Sequence, residues 1–265
     1  MLQFQLAIRL LLVLVSFALP SAALGKQIKF VWNVYCPYTC KVERAGQPGY
    51  AMEVVQAIFK DSPYQVSFMF VDSWNRAMDQ VKSGQFDAIV FSFHIEDVDK
   101  FFIYPEQHLA IEKGSSFMVL NDSRFQLSNV ESLNQLNNIG VYKNTVWSDK
   151  KLSIWEKGNK DKFTYLHGGD VFERALKMLR MRRIDAWEDS QGLLNYNIYK
   201  GNISDVRIEQ VLTQSTSEGG VLFSRKNAFA PEFATYFSQR MLVLRKSGEF
   251  DKILSKYGQI NFYEH

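Results

Sequence analysis

The chain has 265 residues and a formal net charge of +3, with 22% charged residues. That length allows one large domain or two lobes. A charge so near neutral argues neither for nucleic acid nor for an acidic membrane surface as partner.

Residues 1–25 read MLQFQLAIRLLLVLVSFALPSAALG. Arg9 precedes an apolar run from Leu10 to Leu19, and Ser21, Ala22 and Ala23 supply small residues for cleavage. This is the pattern of a secretory signal peptide, with an apolar core too short to span a bilayer comfortably. The remaining roughly 240 residues carry the fold.

Lys26–Trp32 alternates as a strand, with Ile28, Phe30 and Trp32 on one face. Asn33–Gly49 is rich in Tyr, Pro, Cys and Gly and reads as a loop. Ala51, Val54, Val55, Ile58 and Phe59 fall at helical spacing, and Gln65–Val71 is strand-like. Ser73 stands where a helix cap belongs, before a face of Trp74, Ala77, Met78 and Val81. Gly84 ends that helix, and Asp87–Phe91 is the next strand. This alternation predicts a mostly parallel, wound sheet.

Ser115–Leu120 is another apolar strand, ended by Asn121, Asp122 and Ser123. Ile139–Tyr142 predicts a strand, Val146–Trp155 a helix and Phe163–Leu166 a short strand. Val171, Phe172, Ala175, Leu176 and Leu179 share a helix face, and Ile184–Trp187 opens a strand. Val206–Leu212 and Gly219–Phe223 read as two further strands. Phe233, Tyr236, Phe237, Met241 and Leu244 mark a long helix; Gly248 interrupts it before Phe250, Ile253, Leu254 and Tyr257.

Two junctions repeat one pattern. VKSGQFDAIVF centres on Asp87 and Ala88, and LRMRRIDAWED centres on Asp185 and Ala186. They lie too far apart for a solenoid period. They fit two α/β lobes joined without a low-complexity linker, with crossovers near 115–120 and 219–223. The two cysteines, Cys36 and Cys40, flank Pro37-Tyr38-Thr39. In an exported chain such a pair reads as a disulfide, with free thiols as the alternative. Zinc needs more ligands than this pair offers, and no metal or cofactor motif appears elsewhere.

The chain resembles the bacterial periplasmic solute-binding proteins of family 3, the polar amino-acid type. The likeness rests on the aromatic-Pro loop Tyr35–Tyr38, on Gly49-Tyr50-Ala51-Met52-Glu53 opening a helix, and on Gly84-Gln85-Phe86-Asp87-Ala88. It continues through Ile139-Gly140-Val141 before Asn144-Thr145, through Arg183-Ile184-Asp185-Ala186, and through the tail from Gly248 to Gly258. It implies the type 2 two-lobed α/β fold: 26–116 with 221–265 as lobe one, and 117–220 as lobe two. It further implies a cleft between lobes, two hinge crossings, no catalysis and no cofactor.

Carried over residue by residue, the resemblance nominates Tyr35, Tyr38 and Trp74 as aromatic walls, and Arg76 as a group facing an anion. Ser92, Phe93 and His94 follow a strand end. Asn144 and Thr145 precede a helix, and Glu188 or Asp189 takes the place of the family's ammonium-holding acid. The family's carboxylate-clamping Arg falls on Asp99, so that clamp is missing from this sequence. Trp74 also fits the core, His94 a surface hydrogen bond and Thr145 a plain cap. The expected function is periplasmic binding of a small polar or aromatic solute for an inner-membrane transporter. The alternatives are a sensor module for a receptor or a dehydratase-like enzyme. A monomer is expected.

Overall fold

The computed structural model describes residues 26–94, 100–143, 145, 147, 149–167 and 170–261. The signal-like segment 1–25, Asp99 and Asn144 lie outside the described residues. In chain order the first half contains β1 (Gln27–Trp32), the short α1 (Val42–Ala45), α2 (Tyr50–Phe59), β2 (Gln65–Phe70), α3 (Trp74–Lys82), β3 (Ala88–Phe93), β4 (Phe102–Ile103) and β5 (Ala110–Leu120). Then come β6 (Ile139–Tyr142), α4 (Lys150–Gly158), β7 (Phe163–Leu166), α5 (Val171–Arg180), β8 (Ala186–Asp189), α6 (Gln191–Lys200), β9 (Val206–Ser224), α7 (Ala230–Lys246) and α8 (Glu249–Ser255).

Hydrogen bonding runs along β2-β1-β3-β9-β5-β8-β6-β7, with β4 also paired to β9. β1 is parallel to β2 and β3, and β6 is parallel to β7 and β8. Each parallel trio is the centre of one lobe. The antiparallel pair β5 and β9 joins them. Ala110–Lys113 pair with Thr216–Gly219 beside lobe one, and Ser115–Leu120 pair with Val206–Val211 beside lobe two. The register shifts between Lys113 and Ser115, where Gly114 has a positive φ of 71°.

The inner strands β3 and β6 are covered on both faces and so are apolar on both sides, whereas the edge strand β2 leaves one face exposed. In lobe one, Phe30, Phe59, Phe223, Phe233, Phe237 and Phe250 are fully buried between the sheet and α2, α7 and α8. Val31, Ile89 and Leu222 meet Ala77, Met78 and Val81 of α3 on the other face. Lobe two repeats the plan, with Ile139, Val141 and Leu152 on one face and Trp187, Leu179 and Leu194 on the other.

The repeated aspartates do one job twice. The Lys29 N–H donates to Asp87 Oδ2 at 2.8 Å, while the Asp87 N–H donates to the Lys29 carbonyl at 2.9 Å. The Asn138 N–H donates to Asp185 Oδ2 at 3.1 Å, while the Asp185 N–H donates to the Asn138 carbonyl at 2.7 Å. Each carboxylate ties the foot of a strand to its parallel neighbour, satisfying backbone donors that the ladder leaves over.

Four sequence expectations change, and one helix appears that the sequence did not announce. The two strands expected at 206–212 and 219–223 are one strand, β9, whose polar middle is the crossing itself. The helix expected from Val146 starts at Lys150, where Asp149 accepts from the Lys151 and Leu152 N–H groups. Ser73 makes no side-chain cap bond, and Trp74 is 37% exposed rather than part of the helix's buried face. The helix α6 has no clear apolar stripe because it is buried on two sides: Leu194 enters the lobe-two core and Tyr196 the lobe-one core.

A chain ending at Ser217 loses the β9 residues paired to β3 and β4, together with α7 and α8. Circular dichroism and limited proteolysis of that fragment should show a poorly folded product. A fragment as stable as the full chain would contradict this topology.

Candidate functional site

The loop after β1 is held rigidly. Cys36 and Cys40 are disulfide-bonded. The Tyr35 N–H donates to the Thr39 carbonyl at 2.7 Å, and the Thr39 N–H to the Tyr35 carbonyl at 3.0 Å. The Pro37 and Tyr38 carbonyls accept the first N–H groups of α2, from Tyr50 and Ala51, at 2.8 and 3.0 Å. Gly49, with φ of 95°, permits this approach, since a Cβ there would lie 2.4 Å from the Tyr38 carbonyl oxygen.

The loop thereby fixes two phenols at the junction of the lobes. Tyr38 is fully buried and stacks on Phe91 with ring centres 4.0 Å apart. Tyr35 packs beside it at 4.9 Å, with Phe93 6.5 Å from Tyr35. Tyr38 Oη donates to Glu112 Oε1 at 2.9 Å, and the Gly192 N–H from α6 donates to the same oxygen at 3.1 Å. Glu112 therefore sits on the crossing strand β5 between a lobe-one loop and the first turn of a helix that follows β8. Gly192 is required there, because a Cβ would lie 2.5 Å from Tyr38 Oη.

The carboxyl end of β8 adds Glu188 and Asp189. Asp189 is opposite Ser116 of β5, and its Oδ1 accepts the Ser190 N–H at 2.8 Å. Ser190 Oγ in turn accepts the Leu193 N–H as the cap of α6. Burial pushes the Asp189 carboxyl up to about 7, with the Glu112 charge adding and the Ser190 N–H opposing. Burial also pushes Glu188 well above the usual carboxylate range, reinforced by Asp189, Glu112 and Glu156 of α4. Glu112 is raised by burial and held down by its Gly192 and Tyr38 donors. Burial, Asp189 and Glu112 raise the Tyr35 phenol.

Tyr35, Tyr38, Phe93, Glu188 and Asp189 of the sequence-nominated residues thus meet around Glu112. Ser92 is buried next to Phe93 and donates to the Phe93 carbonyl at 2.9 Å. His94 points elsewhere. It is exposed, lies 4.5 Å from the Tyr104 ring, and lines a pocket of about 370 Å³ with Tyr104, His108, Glu218 and Arg225. Trp74 and Arg76 are exposed on the first turn of α3, and no described contact joins them to the carboxylates. Thr145 closes its own turn, its Oγ1 donating to the Tyr142 carbonyl at 2.8 Å. Trp147 donates to Glu156 Oε2 at 3.0 Å, which places a neighbour of Glu188 under that turn.

Glu112 and Gly192 had no sequence signal of their own beyond an acid inside an apolar strand. A cavity of about 20 Å³ lies beside them, lined also by Gln259 and Asn261 from the tail. That is room for one water, not a solute.

Tyr38→Phe should destabilise the protein by about 1–3 kcal/mol in denaturant titration, because Glu112 loses a donor to a desolvated oxygen. The acids also set a pH dependence. Their folded pKa values exceed their unfolded ones, so the fold favours the protonated forms. That contribution is complete below about pH 4 and is lost as pH rises through the folded values, which for Asp189 means through about 7. Melting temperature should fall from pH 5 to 8, and Asp189→Asn should flatten that fall.

The profile of the bacterial extracellular solute-binding proteins, family 3, matches residues 30–260. None of the curated proteins matches the chain. Among solved structures, the second substrate-binding domain of a putative amino acid ABC transporter from Streptococcus pneumoniae is 23% identical, with a TM-score of 0.66 over 88% of this chain and 99% of that one. An ancestral cationic amino acid solute-binding protein is 16% identical, with a TM-score of 0.68 over 88% and 96%. A histidine kinase sensor domain with similarity to periplasmic binding proteins is 19% identical, with a TM-score of 0.64 over 88% and 96%. At such identities these likenesses establish the two-lobed fold, and the profile match establishes the lineage: the chain belongs to the bacterial extracellular solute-binding proteins, family 3.

Proposed function

We propose that this family member binds a small polar solute with an aromatic or apolar face between its lobes, and delivers it to an ABC-type transporter. One observation carries the reading: Tyr35, fixed on lobe one, lies in the field of Asp189 and Glu188 at a strand end of lobe two, and Tyr38 beside it bonds Glu112 of the crossing strand. Flat rings and a few oriented polar groups at a junction between lobes are what a solute site requires. Residues 1–25 act as a cleaved signal that sends the chain to the periplasm. Residues 26–116 with 221–265 form one moving body and 117–220 the other. The register shift between Lys113 and Ser115 beside that boundary supplies a place to bend. The chain works as a monomeric binder without cofactor and not as an enzyme.

The second reading is a sensor module whose closed form docks on a receptor. The likeness to a histidine kinase sensor domain favours it. Both readings use the same interlobe site.

The arrangement disfavours ordinary α-amino acids. The described carboxyls at the junction repel a ligand carboxylate, and a guanidinium clamp is what such a ligand needs. A thermal-shift screen of the twenty amino acids beside small amines, organic acids and aromatic metabolites should find its largest shift outside the amino acids. Micromolar calorimetric binding of an ordinary amino acid would show that a clamp exists elsewhere in the cleft.

A further inference from the structure

Glu112, Glu188 and Asp189 come from two neighbouring strands and act on one another electrostatically. The groups that face them are Tyr35 and Tyr38 of the disulfide loop, Glu156 of α4, and Ser190 with the first N–H groups of α6. No described Lys, Arg or His side chain is among them. Glu112 is approached by the Tyr38 and Ser190 hydroxyls and the first N–H groups of α6, and Asp189 by the Ser190 N–H and the Trp187 indole. Glu188 differs: it is 9% exposed, and no described residue donates a hydrogen bond to it.

A desolvated carboxyl without a donor or counter-charge is the least favourable state for such a group. A ligand bearing N–H groups and positive charge corrects both defects at once. The neighbouring phenol and phenyl faces of Tyr35 and Phe93 also suit a cation. A carboxylate on the same ligand would enter the field of three acids.

We propose that the solute is a small amine cation without a carboxylate, its ammonium held by Glu188 and Asp189 with Glu112 behind them. This rests on the interlobe reading above. Glu112 faces the amino end of α6, whose dipole favours its ionised form. Glu188 and Asp189 are therefore the groups that give up protons when the cation enters. The exchange balances: an ammonium arrives, and a carboxyl proton leaves to solvent as the acid ionises. Affinity then increases with pH, by up to about tenfold per unit for each proton displaced.

Calorimetry on the full mature chain tests this, with 1,4-diaminobutane, benzylamine, L-ornithine, benzyl alcohol and Ca²⁺ as probes. Each is titrated at pH 6 and pH 8 in two buffers of different ionisation enthalpy. At least one of the two amines should bind, with proton release at pH 6. L-Ornithine, which adds a carboxylate to the diamine, should bind at least tenfold more weakly than the better amine. Glu188→Gln should weaken the amine at least tenfold and reduce proton release. Its melting temperature at pH 8 should stay level or rise, which separates lost binding from lost folding.

Equal or tighter binding of L-ornithine would overturn the assignment, as would Ca²⁺ binding in place of the amines, amine binding without proton release, or an unaffected Glu188→Gln. Binding of neither amine also overturns it. If benzyl alcohol alone binds, the amine is wrong while the interlobe site survives. If Tyr35→Ala, Glu188→Gln and Asp189→Asn all leave every binding signal unchanged, the interlobe site itself is wrong.

Discussion

Everything in this protein hangs on the pairing of β5 with β9. The two strands run antiparallel through both lobes, changing neighbours at the crossing. Their outer halves complete each lobe's sheet, so neither lobe is closed without them. Backbone hydrogen bonds hold the pair in register at both ends, while the shift at Gly114 breaks the ladder between. Strands continuous through two bodies limit their relative movement to bending and twisting at that break. A bound molecule there meets surfaces whose approach is nearly fixed, which lowers the entropy lost on binding.

Charge is placed at this crossing against the ordinary preference of a protein interior. Glu112 is tolerable because the Tyr38 hydroxyl and the Gly192 N–H converge on one of its oxygens. Those two donors come from segments far apart in sequence, and the disulfide loop and the α6 cap exist in part to aim them. Glu188 has no such provision among the described residues. Natural chains keep unfavourable groups where a task requires them, with stability drawn from elsewhere. The aromatic core of lobe one, from Phe30 to Phe250, is large enough to absorb that cost.

Much of this architecture was legible in the sequence, and the exceptions have physical causes. Ile139–Val141 announces itself as a run covered on both faces, and β1 announces itself by the alternation of Ile28, Phe30 and Trp32. The Asp87 and Asp185 junctions repeat because each lobe needs the same carboxylate at the foot of a strand. By contrast, β9 looks like two strands because its middle, Thr213–Glu218, is polar where it leaves one lobe for the other. The helix α6 hides because burying Leu194 and Tyr196 in different cores erases a single apolar stripe. Tyr35, Tyr38, Glu188 and Asp189 could be nominated from their places on a loop and a strand end. Glu112 could not, since its role comes from partners that only the fold brings near. Trp74 and Arg76 were nominated by position along the chain, but the first turn of α3 leaves them outward.

The same crossing decides the order in which the molecule can be assembled. Lobe two's strands, β5 through the first half of β9, are contiguous in the chain and meet their partners as soon as they are made. Lobe one waits. Its strand β3 has no partner on one side until Gly219–Phe223 emerges, and Phe30 has no Phe233 to pack against until later still. Pairings across such sequence separations are slow, and unpaired apolar strands in the interval are prone to aggregate. The first ninety or so residues are thus the vulnerable part of a newly made chain. A factor that shields nascent protein would find its client surface there, on β1, β2 and β3, rather than in the later-synthesised half.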